Sequence, residues 1–399
     1  MKDFGTYNLY LYTEVEFGKD SHEQVGKLIK KHGGSKVLFV YDSVAKMIGI
    51  YDEIVNLLRA AEIEFVEFTG IKANPSRKHT ALGIQLAKQE KVDFVLAVGG
   101  GSTIDTSKAI SFGALYEGDW WDLYTKKAVS NKRLPVGAIP TIAASGSEMS
   151  QASVIVDDVD TGKKVSLHSD YARPVFVIMN PEFTYTVPKF QTAAGAADIF
   201  AHTFERYFYH DSCMLADGFA EGLLKTVVKY GPIAVNHPDN YEARAELLLC
   251  ASFSHNNITN VGHSKGPRGG AHGVEAILSA AFDTAHGAGL AVVMPEWMRF
   301  AADYSEEGLR RVAKMAIQVF GVSPDLEDLK SVAYEGAKRC REWLNSMGLP
   351  ATLTQLNPNI TEKDIPMMVE KGRFGADGLY RSYVTMTRED LAAFYKRIL

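Results

Sequence analysis

Asp93-Phe94-Val95-Leu96-Ala97-Val98-Gly99-Gly100-Gly101-Ser102-Thr103-Ile104-Asp105-Thr106-Ser107-Lys108 starts as an apolar run too short for a helix and ends, beyond three glycines, in a helical stretch. A continuous apolar run of this length reads as a strand buried on both faces. The glycines let the backbone turn sharply, and Ser102 reads as the N-cap of the following helix. The same rhythm repeats on either side. Strands are expected at 37–41 and 64–68, with helices at 51–61 and 77–90. Strand and helix alternating at this spacing imply parallel pairing, hence an α/β sheet. Apolar runs at 135–139, 152–156 and 175–179 extend it, and Asp160-Thr161-Gly162 predicts a small antiparallel hairpin. The alternating N-terminal stretch reads as a strand and not as a signal peptide.

Beyond Pro188 the composition shifts to Ala, Leu, Glu and Lys with few β-branched clusters, which predicts helix after helix to the C-terminus. The boundary falls near residues 185 to 192, giving a Rossmann-like α/β domain over 1–187 and an all-helical domain over 188–399. A chain of 399 residues suits two such cores. The formal charge of −5, without a long basic run, argues against nucleic acid and anionic membranes as partners and leaves a small molecule. No segment approaches the ~18 apolar residues of a membrane span. Cys213, Cys250 and Cys340, with no C-x-x-C pattern, suit a reducing cytoplasm and read as core thiols.

The glycine turn carries the first chemical signal. Backbone amides at Gly100, Gly101 and Ser102 can approach a pyrophosphate, and the helix N-terminus adds about half a unit of positive charge. The spacing is not G-x-G-x-x-G, so by themselves the glycines fit a tight turn as well as a cofactor site. Asp42, at the tip of the 37–41 strand, can accept from ribose hydroxyls and repel a 2′-phosphate. It also reads as a helix cap or turn former.

Asp198, His202, His272 and His286 carry the second signal. Asp198 and His202 stand four apart in a helical stretch, on one face and about 6 Å from each other. His272 and His286 are fourteen positions apart, and on one unbroken helix they would be separated by roughly 21 Å. An ion with ligand bonds near 2.1 Å cannot touch both. If they share a metal, the helix must end between them, and the sequence offers Phe282-Asp283-Thr284 and a flexible His286-Gly287-Ala288-Gly289.

Together these features resemble the iron-containing (group III) alcohol dehydrogenases, in particular their NADH-dependent butanol dehydrogenase branch. The resemblance spans essentially the whole chain: Phe17-Gly18, Lys72-Ala73-Asn74-Pro75, the Gly99–Lys108 pattern GGGS-x-x-D-x-x-K, Gly118 to Asp122, PTIAASGSE at 140–148, Asn180-Pro181, and 272–289. It implies an N-terminal dinucleotide-binding domain, an all-helical C-terminal domain, and a metal in the cleft between them. Its metal ligands fall on Asp198, His202, His272 and His286, with His272 and His286 acting catalytically through the ion. Its cofactor contacts fall on Asp42, Asn74, Gly100, Gly101, Ser102, Asp105, Thr141, Ser145 and Lys164. The implied cofactors are Fe²⁺, with Zn²⁺ as the other candidate, and NAD(H) in preference to NADP(H), the preference resting on Asp42. The implied substrates are primary alcohols and aldehydes, and the implied assembly is a homodimer.

The chain departs from the family pattern in places. Ala276 replaces a second histidine often given a proton-relay role, PTIAASGSE replaces PTTAGTGSE, and Asn180 stands where relatives carry Asp. Two other functions remain open: a lyase resembling dehydroquinate synthases, and a non-catalytic NAD-binding relative. A phosphorylated lyase substrate would call for a basic cluster, of which Lys265 and Arg268 are the visible members. Glu275 reads as a residue behind the ligands or on the helix surface, His255 and His263 as flanks of a solvated loop, and His168 as structural. Trp120 and Trp121 read equally as pocket lining and as aromatic packing.

Overall fold

Two parallel strands, β2 (Lys36–Tyr41) and β4 (Phe94–Gly99), are the centre of the first unit, and they pair because both are apolar on alternate and opposite faces. The computed structural model describes residues 7–210, 213–263 and 269–399. The other strands are β1 (Glu14–Phe17), β3 (Glu64–Phe68), β5 (Val136–Pro140), β6 (Ala152–Val156), β7 (Lys164–His168) and β8 (Phe176–Met179). Six of them form a sheet in the order β1-β8-β5-β4-β2-β3, parallel throughout, while β6 and β7 make the separate antiparallel hairpin. Helices α1 (Val25–Lys31), α2 (Ser43–Met47), α3 (Ile50–Ala60), α4 (Arg77–Glu90), α5 (Gly101–Leu115) and α6 (Trp121–Tyr124) belong to this unit.

Period-two alternation sends Val37, Phe39, Leu96 and Val98 to one face, against Leu28 and Ile29 of α1 and Ile54 and Leu58 of α3. Leu38, Val40 and Val95 go to the other, against Ile84 and Ala87 of α4 and Ile110 of α5. After β3 the chain returns to the opposite side of β2, so strand order reverses between β2 and β4. In open α/β sheets a ligand binds beyond the strand ends at such a reversal. Tyr41 lies opposite Val98 and Gly99 opposite Pro140, which brings Asp42, the glycine turn and Thr141 to one sheet edge.

The chain divides into two compact units: Tyr10–Val187 with Ala251–Asn256, and Pro188–Cys250 with Asn257–Leu399 and the residues up to Leu9. The second is built from α7 (Lys189–Tyr207), α8 (Met214–Asn236), α9 (Tyr241–His255) as far as Cys250, α10 (Ala271–Phe282), α11 (His286–Tyr304), α12 (Glu306–Phe320), α13 (Leu329–Ser346), α14 (Leu353–Leu356), α15 (Ile365–Glu370) and α16 (Arg388–Arg397). It is not helical to the end. Strands β9 (Tyr380–Arg381) and β10 (Thr385–Met386) pair antiparallel, a short ladder that helical composition around it hides. Helix α11 is buried from Gly287 to Met298 and contains Pro295, which cannot donate to the Ala291 carbonyl. Arg341 fills that gap, donating from Nη1 to Ala291 O at 2.7 Å and from Nη2 to Val292 O at 2.8 Å. Among the described residues no helix is long and apolar enough to cross a membrane, and all three cysteines are buried.

Candidate functional site

In the helical unit, α7 carries Asp198 and His202 one turn apart, α10 carries His272 in its first turn, and α11 begins at His286. Helix α10 ends at Phe282, with Asp283 in the left-handed conformation at φ 50°, so the required break lies between the two histidines. The segment His286 to Gly289, read from sequence as flexible, is instead the first turn of α11. Its glycine serves packing: a Cβ on Gly287 would lie 2.0 Å from Ala194 O of α7. That close approach brings His286 beside Asp198.

Three imidazole nitrogens surround one carboxylate oxygen. Asp198 Oδ1 lies 3.7 Å from His202 Nε2, 3.8 Å from His272 Nε2 and 3.6 Å from His286 Nε2. Those separations are too long for hydrogen bonds. They match atoms sharing one ion, since two tetrahedral ligands on bonds near 2.1 Å stand about 3.4 Å apart. Asp198 Oδ1 is buried without a hydrogen-bond partner, a costly state for a carboxylate that a cation would relieve. The tightest group, with ligand atoms within 4.8 Å of one another, is Asp198, His202 and His272. His286 joins through Asp198 and is the most open of the four, its side chain 38% exposed against 12% for Asp198.

The electrostatics keep the central carboxylate ionised. Burial alone would raise the Asp198 carboxyl, but His202, His272 and His286 hold it far below the usual range. Burial pushes His202 down to about 3, which keeps its lone pair available. His272 moves the other way, to about 9: burial lowers it, but Asp198 and Glu205 outweigh that. Glu205 was not singled out from sequence. It stands three residues after His202 on the same face of α7, and its Oε1 accepts from His272 N at 2.9 Å and lies 3.5 Å from His272 Nδ1. The spacing Asp-x₃-His-x₂-Glu is the signal that would have found it. Glu275 is fully buried and meets His286 Nδ1 through Oε2, so it is not a surface residue. Ala276 is exposed on α10.

In the α/β unit the glycine turn is arranged differently from its sequence reading. Gly100, not Ser102, is the N-cap residue of α5, and no side chain caps that helix. The Gly101 and Ser102 amides of the first turn therefore suit an anion, as a pyrophosphate cradle requires, while the Gly100 amide is held by Asp42. A Cβ on Gly101 would meet Ser145 Oγ at 2.3 Å, so the 141–146 loop lies directly over the turn. Asp42 serves both as helix cap and as part of this turn. Its Oδ1 accepts from Val44 N and Ala45 N at the start of α2, and its Oδ2 from Gly100 N and Thr103 Oγ1, each at 3.1 Å. Asp105 points toward the hairpin, accepting from Ser147 Oγ at 2.5 Å and Val154 N at 3.0 Å. Thr141 is buried beside Gly99, donating to its carbonyl at 3.2 Å. Asn74 is exposed with φ 61°, and Lys164 is exposed on β7.

The minor candidates resolve as structure. His255 ends α9, with Nδ1 2.7 Å from Ser145 O, and His263 is buried, stacked on Tyr209 at 3.8 Å; the loop residues 264–268 lie outside the described residues. Trp121 is buried between Tyr124 and the Arg77 guanidinium, so it packs. His168 is exposed beside Ser166. Asn180 Oδ1 accepts from Glu182 N at 3.0 Å, the capping bond an Asp would make. Lys265 and Arg268 lie outside the described residues.

Family models cover both halves of the chain. Residues 13–181 match the model described as iron-containing alcohol dehydrogenase, and residues 192–399 match the C-terminal model of the Fe-containing alcohol dehydrogenase family. The chain belongs to the iron-containing alcohol dehydrogenase family. It is 37% identical to NADH-dependent butanol dehydrogenase A of Clostridium acetobutylicum, over 98% of this chain and 99% of that one. It is 30% identical to an NADPH-dependent aldehyde reductase of Escherichia coli, over 92% of each chain. The crystal structure of NADH-dependent butanol dehydrogenase A from Thermotoga maritima superposes with a TM-score of 0.90 at 33% identity, covering 100% of both chains. These relatives place the chain in the butanol dehydrogenase branch, with the architecture of an α/β domain followed by a largely helical one, and make it an oxidoreductase acting on CH–OH donors.

Proposed function

We propose that this iron-containing alcohol dehydrogenase family member moves hydride between NAD(H) and a primary alcohol or aldehyde, with a divalent ion held by Asp198, His202, His272 and His286. The observation that carries the reading is Asp198 Oδ1, buried without a donor and ringed by three imidazole nitrogens at 3.6 to 3.8 Å. When bound, the ion supplies Lewis acidity to the substrate oxygen and the dinucleotide supplies or accepts the hydride. Asp198 contributes the negative charge of the shell and His202 a neutral imidazole. Fe²⁺ is the proposed ion, in keeping with the iron-containing family, with Zn²⁺ as the other candidate. His286, the most exposed of the four side chains, would stand on the substrate side. Ala276 offers no proton, so the exchange with solvent at this position passes without an imidazole.

The dinucleotide belongs to the domain proposed for residues 1–187, and metal and substrate to the domain over 188–399. The uncapped N-terminus of α5 suits the pyrophosphate through the Gly101 and Ser102 amides, with Gly100, whose own amide Asp42 holds, contributing close backbone approach. Asn74, Asp105, Thr141, Ser145 and Lys164 complete the proposed contacts; Asp105 acts by holding Ser147 and β6 in place. All four acceptor positions of Asp42 are already used, so it selects NAD(H) by its fixed charge, which repels a 2′-phosphate. We also propose a cytoplasmic homodimer. β1 is a sheet edge, and Tyr10, Leu11, Tyr12, Val15 and Phe17 leave apolar surface exposed along it.

The test is a panel of alcohols and aldehydes run with NADH and NADPH on metal-free protein reloaded with Fe²⁺ or Zn²⁺. Metal-dependent NADH oxidation with primary aldehydes is expected, and Asp42→Gly should shift the ratio toward NADPH. Protein that binds NADH yet never oxidises it across the panel would overturn the reading. A clear NADPH preference left unchanged by Asp42→Gly would overturn the cofactor assignment.

A further inference from the structure

Behind two of the proposed ligands stands a buried carboxylate. Glu275 lies on α10, one turn after His272, and is 0% exposed. Its Oε1 accepts from Ser279 Oγ, and its Oε2, buried and without a hydrogen-bond partner, stands in close ion-pair contact with His286 Nδ1. The carboxylate is held tightly: a Cβ on Gly289 would come within 2.7 Å of Oε1, so any side chain there would displace it. A buried carboxylate oxygen needs a donor, and the one within reach is that ring nitrogen. Nδ1 must then carry the proton, which puts the lone pair of His286 on Nε2, the atom 3.6 Å from Asp198 Oδ1. A second carboxylate, Glu205, approaches His272 from α7 through its backbone. Its Oε1 anchors the backbone N–H of His272 and faces Nδ1 of the same residue at 3.5 Å, leaving Nε2 turned toward Asp198.

We propose that Glu275 is a positioning residue that fixes the tautomer and ring orientation of His286 toward a divalent ion. The proposal rests on the ligand set given above. A carboxylate behind a ligating imidazole holds the ring and raises its basicity, so its loss weakens metal binding even though it touches no metal.

The test titrates Co²⁺ into metal-free wild type, Glu275→Leu, Glu275→Ala, Glu275→Gln and His286→Ala in competition with a chelator, recording the visible d–d band of each complex. Glu275→Leu fills the same volume without an acceptor, so it reports even where Glu275→Ala fails to fold. Either removal should weaken Co²⁺ binding about 10- to 100-fold and change the band. Glu275→Gln, whose amide oxygen still accepts from Nδ1–H, should recover part of that loss. If both removal variants bind Co²⁺ as tightly as wild type with an unchanged band, while His286→Ala binds weakly, the positioning role is wrong and the ligand set stands. If His286→Ala itself binds like wild type, the ligand set fails and the positioning role with it.

Discussion

Asp42 and Asp198 are both carboxylates at the start of an argument about cofactors, but their surroundings set them to different tasks. Asp198 Oδ1 is left without a donor, which is the condition of a metal ligand waiting for charge. Asp42 has every acceptor position filled by the chain itself. Asp42→Ala should therefore do more than alter cofactor preference. It uncaps α2 and frees the Gly100 amide, and we expect a loss of about 1–3 kcal/mol in unfolding free energy together with weaker NADH binding. Denaturant titration and fluorescence binding measure the two; unchanged stability would show that the four bonds are not formed in solution. At this scale the sequence was partly legible. The types and spacing of the four metal candidates could be read, because a ligand set leaves Asp and His at positions where helix faces converge. Glu205 was legible only as the last member of Asp-x₃-His-x₂-Glu on one face of α7, a weak signal because a Glu on a helix is ordinarily solvated and the partner helix reveals its use.

Helix ends and helix contacts form the next level. The break between α10 and α11 follows from the reach of one ion, and it stands at Asp283. The nature of the His286-Gly287-Ala288-Gly289 segment did not follow, because glycine serves both a flexible exit and a tight helix contact, and only the distance to α7 decides. Gly287→Ala places a methyl group against Ala194 O, where an added Cβ would lie at 2.0 Å. We expect it to destabilise the protein by about 1–3 kcal/mol and to weaken metal retention, measured by thermal unfolding and metal analysis. A second contact couples α8 to α12. Asp217 accepts from Arg311 and Lys314, with its side chain 6% exposed. Burial would raise its pKa, but Arg311 and Lys314 hold it below the ordinary value. A lowered folded pKa means stability present above the unfolded value near 3.9 and lost as pH falls through the folded one. Asp217→Asn should cost about 3 kcal/mol at pH 7, the low end for a buried pair with one partner removed, and the gap should narrow in acid. A gap independent of pH would show that the charge is not responsible.

Across the molecule, the α/β order was the most legible feature, because a sheet covered on both faces writes itself as apolar runs at regular intervals. The β9–β10 pair was the least, since two residues per strand leave no period to read. The antiparallel hairpin β6–β7 lay in between, marked by its Asp160-Thr161-Gly162 turn. Assembly is a claim at this scale. The open edge at β1 with its apolar surface predicts a particle of twice the chain mass of 43.9 kDa in light scattering, and Phe17→Glu should shift it toward monomer. A wild-type monomer at micromolar concentration would contradict it.

Four side chains from α7, α10 and α11 are proposed to hold one divalent ion. Metal analysis of purified wild type and Asp198→Ala, both loaded with Fe²⁺ and desalted, tests it most directly. We predict about one ion per chain in the wild type and near-complete loss in the variant, with both folded by circular dichroism. An Asp198→Ala protein that keeps a full equivalent of metal would contradict the account.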